Sequence, residues 1–126
     1  FAEWAHKKVR CDFWGYSAEE NFDNDELIKE KYQGIRPAPG YPSCPDHRLK
    51  LNIWELLNVE QAINLTLTES LAMWPTASVS GLYFAHPESR YFQLGRVDKD
   101  QVEAYAIARE ESIDENETWL APVLGY

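Results

Sequence analysis

Gly34-Ile35-Arg36-Pro37-Ala38-Pro39-Gly40-Tyr41-Pro42 sets the terms for the chain on either side of it. Each proline holds its own φ at about −65° and biases the residue before it toward extended geometry, so residues 35–42 are neither helix nor central strand. The stretch is a stiff loop carrying one guanidinium, Arg36, and one phenol, Tyr41. Two readings fit it. One is a surface turn with a solvated arginine. The other is a planar, bidentate fork held at little ordering cost for a small carboxylate or phosphate.

On the amino side, Phe1, Trp4, Ala5, Val9 and Phe13 recur at helical spacing, which predicts an amphipathic helix over residues 1–13. Asp23 followed by Glu26 is a capping-box pattern that starts a second, short helix, with Leu27, Ile28 and Tyr32 on one face and Gly34 as its stop. On the carboxyl side, Ile53, Trp54, Leu57, Gln61 and Leu65 predict a helix over residues 50–62. Leu65 to Thr68 alternates as a strand does, and the apolar run from Leu71 to Trp74 can extend it before Pro75. Residues 79–84 and 90–97 are rich in aromatic and β-branched types around a turn-like His86-Pro87-Glu88-Ser89, which predicts an antiparallel hairpin near residues 79–97. Asp98 with Gln101 is a further capping box, and a last helix is expected from about Asp114 to Pro122. Helices and strands in mixed blocks without βαβ alternation give an α+β class, helices packed on a small antiparallel sheet.

A chain of 126 residues, 44% apolar and 13% aromatic, is one domain's worth with ample core material. Its net charge of −9 disfavours nucleic acid and anionic membrane surfaces, both of which want a basic face. With no long apolar run and no signal-peptide layout, a soluble, cytoplasmic protein is expected, and its two cysteines, Cys11 and Cys44, are expected to stay reduced.

Cys44-Pro45-Asp46-His47 spaces a thiol and an imidazole as metal ligands can be, but there is no second close pair, so no metal site is expected. No serine sits in a nucleophile-elbow pattern, and the scattered glycines form no phosphate-cradling turn. The acidic clusters Glu110-Glu111 and Asp114-Glu115 read as solvated surface. There remains the pairing of the arginine loop with the aromatic residues Tyr83, Phe84, Tyr91 and Phe92, which can clamp a carboxylate at one end and stack a planar ring at the other. The plain alternative is that these aromatics are core.

Tyr32-Gln33-Gly34-Ile35-Arg36-Pro37-Ala38-Pro39-Gly40-Tyr41-Pro42, Leu67-Thr68-Glu69-Ser70 with Ala72-Met73-Trp74-Pro75, Ser78-Val79-Ser80-Gly81-Leu82-Tyr83-Phe84, Asp100-Gln101-Val102-Glu103 and the closing Trp119-Leu120-Ala121-Pro122-Val123-Leu124-Gly125-Tyr126 stand in one order. Read together they resemble the carboxyl-terminal activation domain of cobalamin-dependent methionine synthase, across essentially the whole chain. The resemblance implies that residues 1–126 are the carboxyl-terminal portion of that domain, its amino-terminal part absent. It implies binding of S-adenosylmethionine, the methyl donor for reductive reactivation of oxidised cobalamin, in an enzyme that transfers methyl from methyltetrahydrofolate to homocysteine. The family's Arg-x-x-x-Gly-Tyr motif falls on Arg36, Gly40 and Tyr41. By resemblance Arg36 holds the ligand carboxylate, the backbone at Ala38 contacts the rest, and Tyr91 and Phe92 form the second binding segment.

No catalytic side chain is implied, because reduced cobalamin is itself the nucleophile and the domain orients the methyl group. The implied partners are the cobalamin-binding domain of the same polypeptide, which holds most of the cobalamin, and flavodoxin or a flavodoxin-like reductase. Zinc is implied only in the absent homocysteine domain. The family also supplies acidic ligand contacts from the missing amino-terminal part, so the isolated fragment is expected to bind weakly and to be inactive by itself. The competing function is a non-catalytic docking module for the cobalamin domain and the reductase.

Overall fold

The computed structural model describes residues 1–16 and 18–126, which fall into two compact units. The first comprises Phe1–Pro37 and Gly81–Tyr91, the second Ala38–Ser80 and Phe92–Tyr126. The class is α+β.

In the first unit, α1 (Ala2–Lys8) continues into a π-helical turn, Val9–Phe13, as the periodicity predicts. The buried face differs from the expected one. Phe1, Trp4 and Phe13 are exposed, whereas His6 and Arg10 are fully buried. Arg10 can be buried because Glu20 accepts from its Nε at 2.7 Å and its Nη2 at 2.5 Å, while the face of Tyr32 lies 4.4 Å from its guanidinium carbon. The capping box at Asp23 forms as predicted: Glu26 N–H donates to Asp23 Oδ1 at 2.8 Å, and Asp23 N–H to Glu26 Oε2 at 3.2 Å. It starts α2 (Asn24–Ile28), which ends well before Gly34.

In the second unit, the helix expected over residues 50–62 is two: α3 (Leu49–Leu57) and α4 (Val59–Ile63), separated by Asn58 in the left-handed region at φ +48°. Asparagine tolerates that conformation better than most residues, and its capacity to break a helix does not register in hydrophobic spacing. β1 (Thr66–Leu67) pairs antiparallel with β2 (Met73–Trp74), Thr66 opposite Trp74 and Leu67 opposite Met73. Trp54 Nε1–H donates to Leu65 O at 2.9 Å, tying α3 to the entry of β1. α5 (Lys99–Arg109) starts at Asp98, whose N–H donates to Gln101 Oε1 at 2.9 Å, and α6 (Ile113–Leu120) starts at Ser112, whose Oγ accepts from Glu115 N–H at 3.2 Å. Val97, Val102 and Leu120 form a core cluster, flanked by Tyr105, Val123 and Leu124, where α5, α6 and the carboxyl end meet.

The hairpin expected near residues 79–97 does not form, and each of its arms is divided between the units, the first after Ser80 and the second after Tyr91. In the first unit Phe84 bridges to Ile35, and in the second Val97 bridges to Leu124. The proline-rich loop explains part of this. A proline has no N–H to give but keeps a carbonyl, and Pro37 O accepts from Leu82 N–H at 2.9 Å while Pro42 O accepts from Leu94 N–H at 3.1 Å. Each loop carbonyl takes an extended-chain amide that a hairpin ladder would otherwise use. Strand propensity identified the extended segments but not their partners.

Candidate functional site

Arg36 lies between two residues whose backbones are tied down within the first unit. Ile35 N–H donates to Phe84 O at 3.1 Å, Ile35 O accepts from Phe84 N–H at 2.9 Å, and Pro37 O accepts from Leu82 N–H. Arg36 N–H itself donates to the Tyr91 hydroxyl at 3.0 Å, and that hydroxyl is 3.3 Å from the hydroxyl of buried Tyr32. Loop stiffness, inferred from the prolines, is thus reinforced by hydrogen bonds on every side of the arginine backbone.

The Arg36 side chain reaches α1. Its Nη2 donates to Glu3 Oε1, its Nη1 is 3.3 Å from His6 Nδ1, and its guanidinium carbon is 5.8 Å from the Tyr32 ring centre. Burial first, then the positive charges of Arg10 and Arg36, lower the His6 pKa to about 4. The imidazole is therefore neutral at physiological pH, Nδ1 accepts from Arg36, and the proton sits on Nε2, which has no hydrogen-bond partner among the described residues. His6 is walled by the rings of Tyr32, Tyr83 and Trp14 at 4.8, 5.2 and 5.9 Å. The hydrogen bond to Glu3 pushes the Arg36 pKa up, and the same bond lowers that of Glu3. Desolvation, followed by the hydrogen bond with the Tyr91 hydroxyl, raises the Tyr32 phenol, which stays protonated.

A groove of about 350 Å³ opens on the same unit, lined by residues 30–35 and by Pro87, Ser89, Arg90 and Tyr91. That volume suits a small molecule. Of the site residues named from sequence, Tyr91 lines it.

Ala38, Gly40, Tyr41 and Phe92 belong to the second unit. Ala38 O accepts from Tyr41 N–H at 3.2 Å, Gly40 N–H donates to Cys44 O at 2.7 Å, and Tyr41 O accepts from Cys44 N–H at 2.8 Å, which closes a tight turn. Gly40 has φ +94°, and a Cβ there would lie 2.1 Å from the His47 ring, so this turn requires glycine. The side chains of Tyr41 and Phe92 are exposed. Among the described residues, no three His, Cys, Asp or Glu side chains stand close enough to hold a metal, and no helix is long and apolar enough to cross a membrane.

Sequence reasoning named Arg36 and Tyr91, which the fold brings together, but missed Glu3, His6 and Tyr32. The missed signal was a polar stripe: Glu3, His6 and Arg10 recur at spacings of three and four on the helix whose apolar stripe drew attention instead. Two members of that stripe, His6 and Arg10, are the buried ones, Arg10 paired with Glu20 and His6 facing Arg36.

Comparison with known proteins agrees with the motifs. The chain is 58% identical to a solved structure described as the MetH reactivation domain bound to AdoHcy, with a TM-score of 0.93, the match covering 100% of this chain and 39% of that one. It therefore spans about two fifths of that relative's length. The family described as "Vitamin B12 dependent methionine synthase, activation domain" matches residues 1–110, the span that holds the anchored arginine, its helix α1 partners and both segments of the arginine and aromatic motifs. By that match, the chain belongs to the activation-domain family of vitamin B12 dependent methionine synthase.

Proposed function

We propose that this chain is the carboxyl-terminal portion of a methionine synthase activation domain and supplies part of the site that binds S-adenosylmethionine for reductive reactivation of cobalamin. The observation that carries the reading is Arg36, its backbone held by Tyr91 and its guanidinium by Glu3 and His6, in a chain 58% identical to a domain described as bound to AdoHcy. S-adenosylmethionine has a carboxylate, an adenine ring and a sulfonium-borne methyl group, and the residues present suit the first two.

Arg36 stays positive, and its side chain keeps 24% exposure, enough for a carboxylate to reach it. Tyr91, whose hydroxyl orients the Arg36 backbone, lines a groove of suitable size, and Phe92 follows it. The turn at Ala38, Gly40 and Tyr41 presents backbone groups and a phenol. These residues bind and orient. The methyl group comes from the bound sulfonium, and no protein nucleophile is needed.

In the whole enzyme, which transfers methyl from methyltetrahydrofolate to homocysteine, cobalamin is held mainly by another domain, a flavodoxin-like reductase delivers the electron, and zinc stays with the homocysteine domain. Acidic contacts to the ligand come from the part of the module amino-terminal to this chain, so the 126-residue chain by itself binds weakly.

Calorimetric titration of S-adenosylmethionine into the chain, into a form extended at its amino end, and into the extended Arg36→Ala variant tests this. Binding in the extended form, at least about tenfold weaker in the variant, is expected from loss of a charge-assisted pair. Absence of heat in all three sinks the reading.

A further inference from the structure

We infer that Glu3 and His6, one turn apart on α1, act as positioning residues that hold the Arg36 guanidinium in the pose from which it takes the ligand carboxylate. The inference rests on the proposed role of Arg36 and extends it to two residues with no assigned function.

Four observations support it. Glu3 and His6 are three residues apart on α1, so their side chains emerge on one face. The two end nitrogens of Arg36 are both used: Nη2 donates to Glu3 Oε1, and Nη1 faces His6 Nδ1 at 3.3 Å. His6 is fully buried between three aromatic rings and is therefore a fixed acceptor. Finally, the Arg36 backbone is pinned separately by Tyr91 and by the Ile35 bridge to Phe84.

An arginine free in water samples many rotamers, and ordering it when a ligand arrives weakens binding. Here both ends of the side chain are held before the ligand comes. Because α1 takes one hydrogen from each end nitrogen, the Nε–H and the remaining Nη hydrogens are left to meet a carboxylate. The arrangement is the protein counterpart of the outer partners that orient metal-ligating histidines, with an arginine in place of the metal ligand.

A competing role is open to the same geometry: the Glu3 carboxylate could occupy the seat of the ligand carboxylate and would have to leave. The two roles predict opposite signs. The experiment is titration of S-adenosylhomocysteine, and of 5′-methylthioadenosine, which lacks the amino-acid carboxylate, into the full-length protein and its Glu3→Gln, Glu3→Asp and Arg36→Ala variants. Positioning predicts that Glu3→Gln weakens S-adenosylhomocysteine by about tenfold, leaves methylthioadenosine unchanged, and is partly rescued by Glu3→Asp. Tighter or unchanged binding in Glu3→Gln overturns the inference, as does an equal loss for both compounds, which marks a merely structural effect. Arg36→Ala separates the levels: if it weakens S-adenosylhomocysteine while Glu3→Gln does not, only the positioning role fails, and if it changes nothing, the clamp itself fails.

A ligand-free readout closes the remaining gap. Nitrogen NMR of the Arg36 guanidinium should show slow rotation about its Cζ–Nε bond in the wild type and faster rotation in Glu3→Gln. Equal rotation in both overturns the inference.

Discussion

Gly34 carries two constraints at once. Its φ is +84°, and a Cβ would lie 2.6 Å from the Trp14 ring and 2.7 Å from the backbone oxygen of Phe84. The ring can shift, but the Phe84 oxygen cannot, because it accepts from Ile35 N–H and fixes the backbone next to Arg36. Gly34→Ala should therefore destabilise the protein by about 2 to 4 kcal/mol, the range for backbone strain combined with overpacking. Urea unfolding should show a lower midpoint with an unchanged slope, and a midpoint equal to wild type would contradict this account. The sequence pattern marks Gly34 as a helix stop, yet α2 already ends at Ile28; the glycine serves the close approach instead, and no local pattern says that Phe84 pairs with Ile35.

Among the elements, capping was the most readable feature and face selection the least. Asp23 and Asp98 start helices where their side chains and the glutamate or glutamine three residues on say they should. Ser112 does the same for α6, two residues before the expected start, and its carbonyl also accepts from the buried Asn116 side chain at 2.8 Å. Ser112→Ala should cost about 1 kcal/mol by orphaning the Glu115 N–H, measurable as a lower denaturation midpoint, whereas Ser112→Asp should retain most of the stability. The hairpin failed for a different reason. Capping is decided within four residues, while strand pairing depends on which distant carbonyls are free, and those of Pro37 and Pro42 came from a segment that reads only as loop. The candidate site divides in the same way. Arg36 was visible because the prolines around it are local, whereas Glu3 and His6 reach it across more than twenty-five positions of sequence.

Over the whole molecule, buried ionisable groups make stability depend on pH. The unfolded chain protonates His6 near the usual value of 6.5, but the folded one only near 4, so stability is full above pH 6.5 and is lost as pH falls toward 4. The slope is at most about 1.4 kcal/mol per pH unit, for a total on the order of 3 kcal/mol. His47, lowered by burial and then by Lys50, acts in the same direction. At lower pH a second loss follows from Asp46. Burial works to raise its carboxyl, but hydrogen bonds from Arg48 and Tyr105 outweigh it and keep the group below its usual 3.8, so its contribution persists above that value and disappears beneath it. Urea midpoints at pH 7.5, 5.5 and 4.5 should fall in order, and a flat series would refute the burial of a neutral His6.

Lys50 gives the second unit a chemical property of its own. The other five lysines, Lys7, Lys8, Lys29, Lys31 and Lys99, are exposed, while the Lys50 amine is buried, donating to Leu71 O at 2.7 Å and lying 2.9 Å from His47 Nδ1. An amine-directed reagent meets five lysines directly and meets Lys50 only when the contact with Leu71 opens. The rate at which Lys50 reacts is therefore a clock for local opening between α3 and the turn that precedes β2, and it runs in the unlabelled native sequence without any introduced probe.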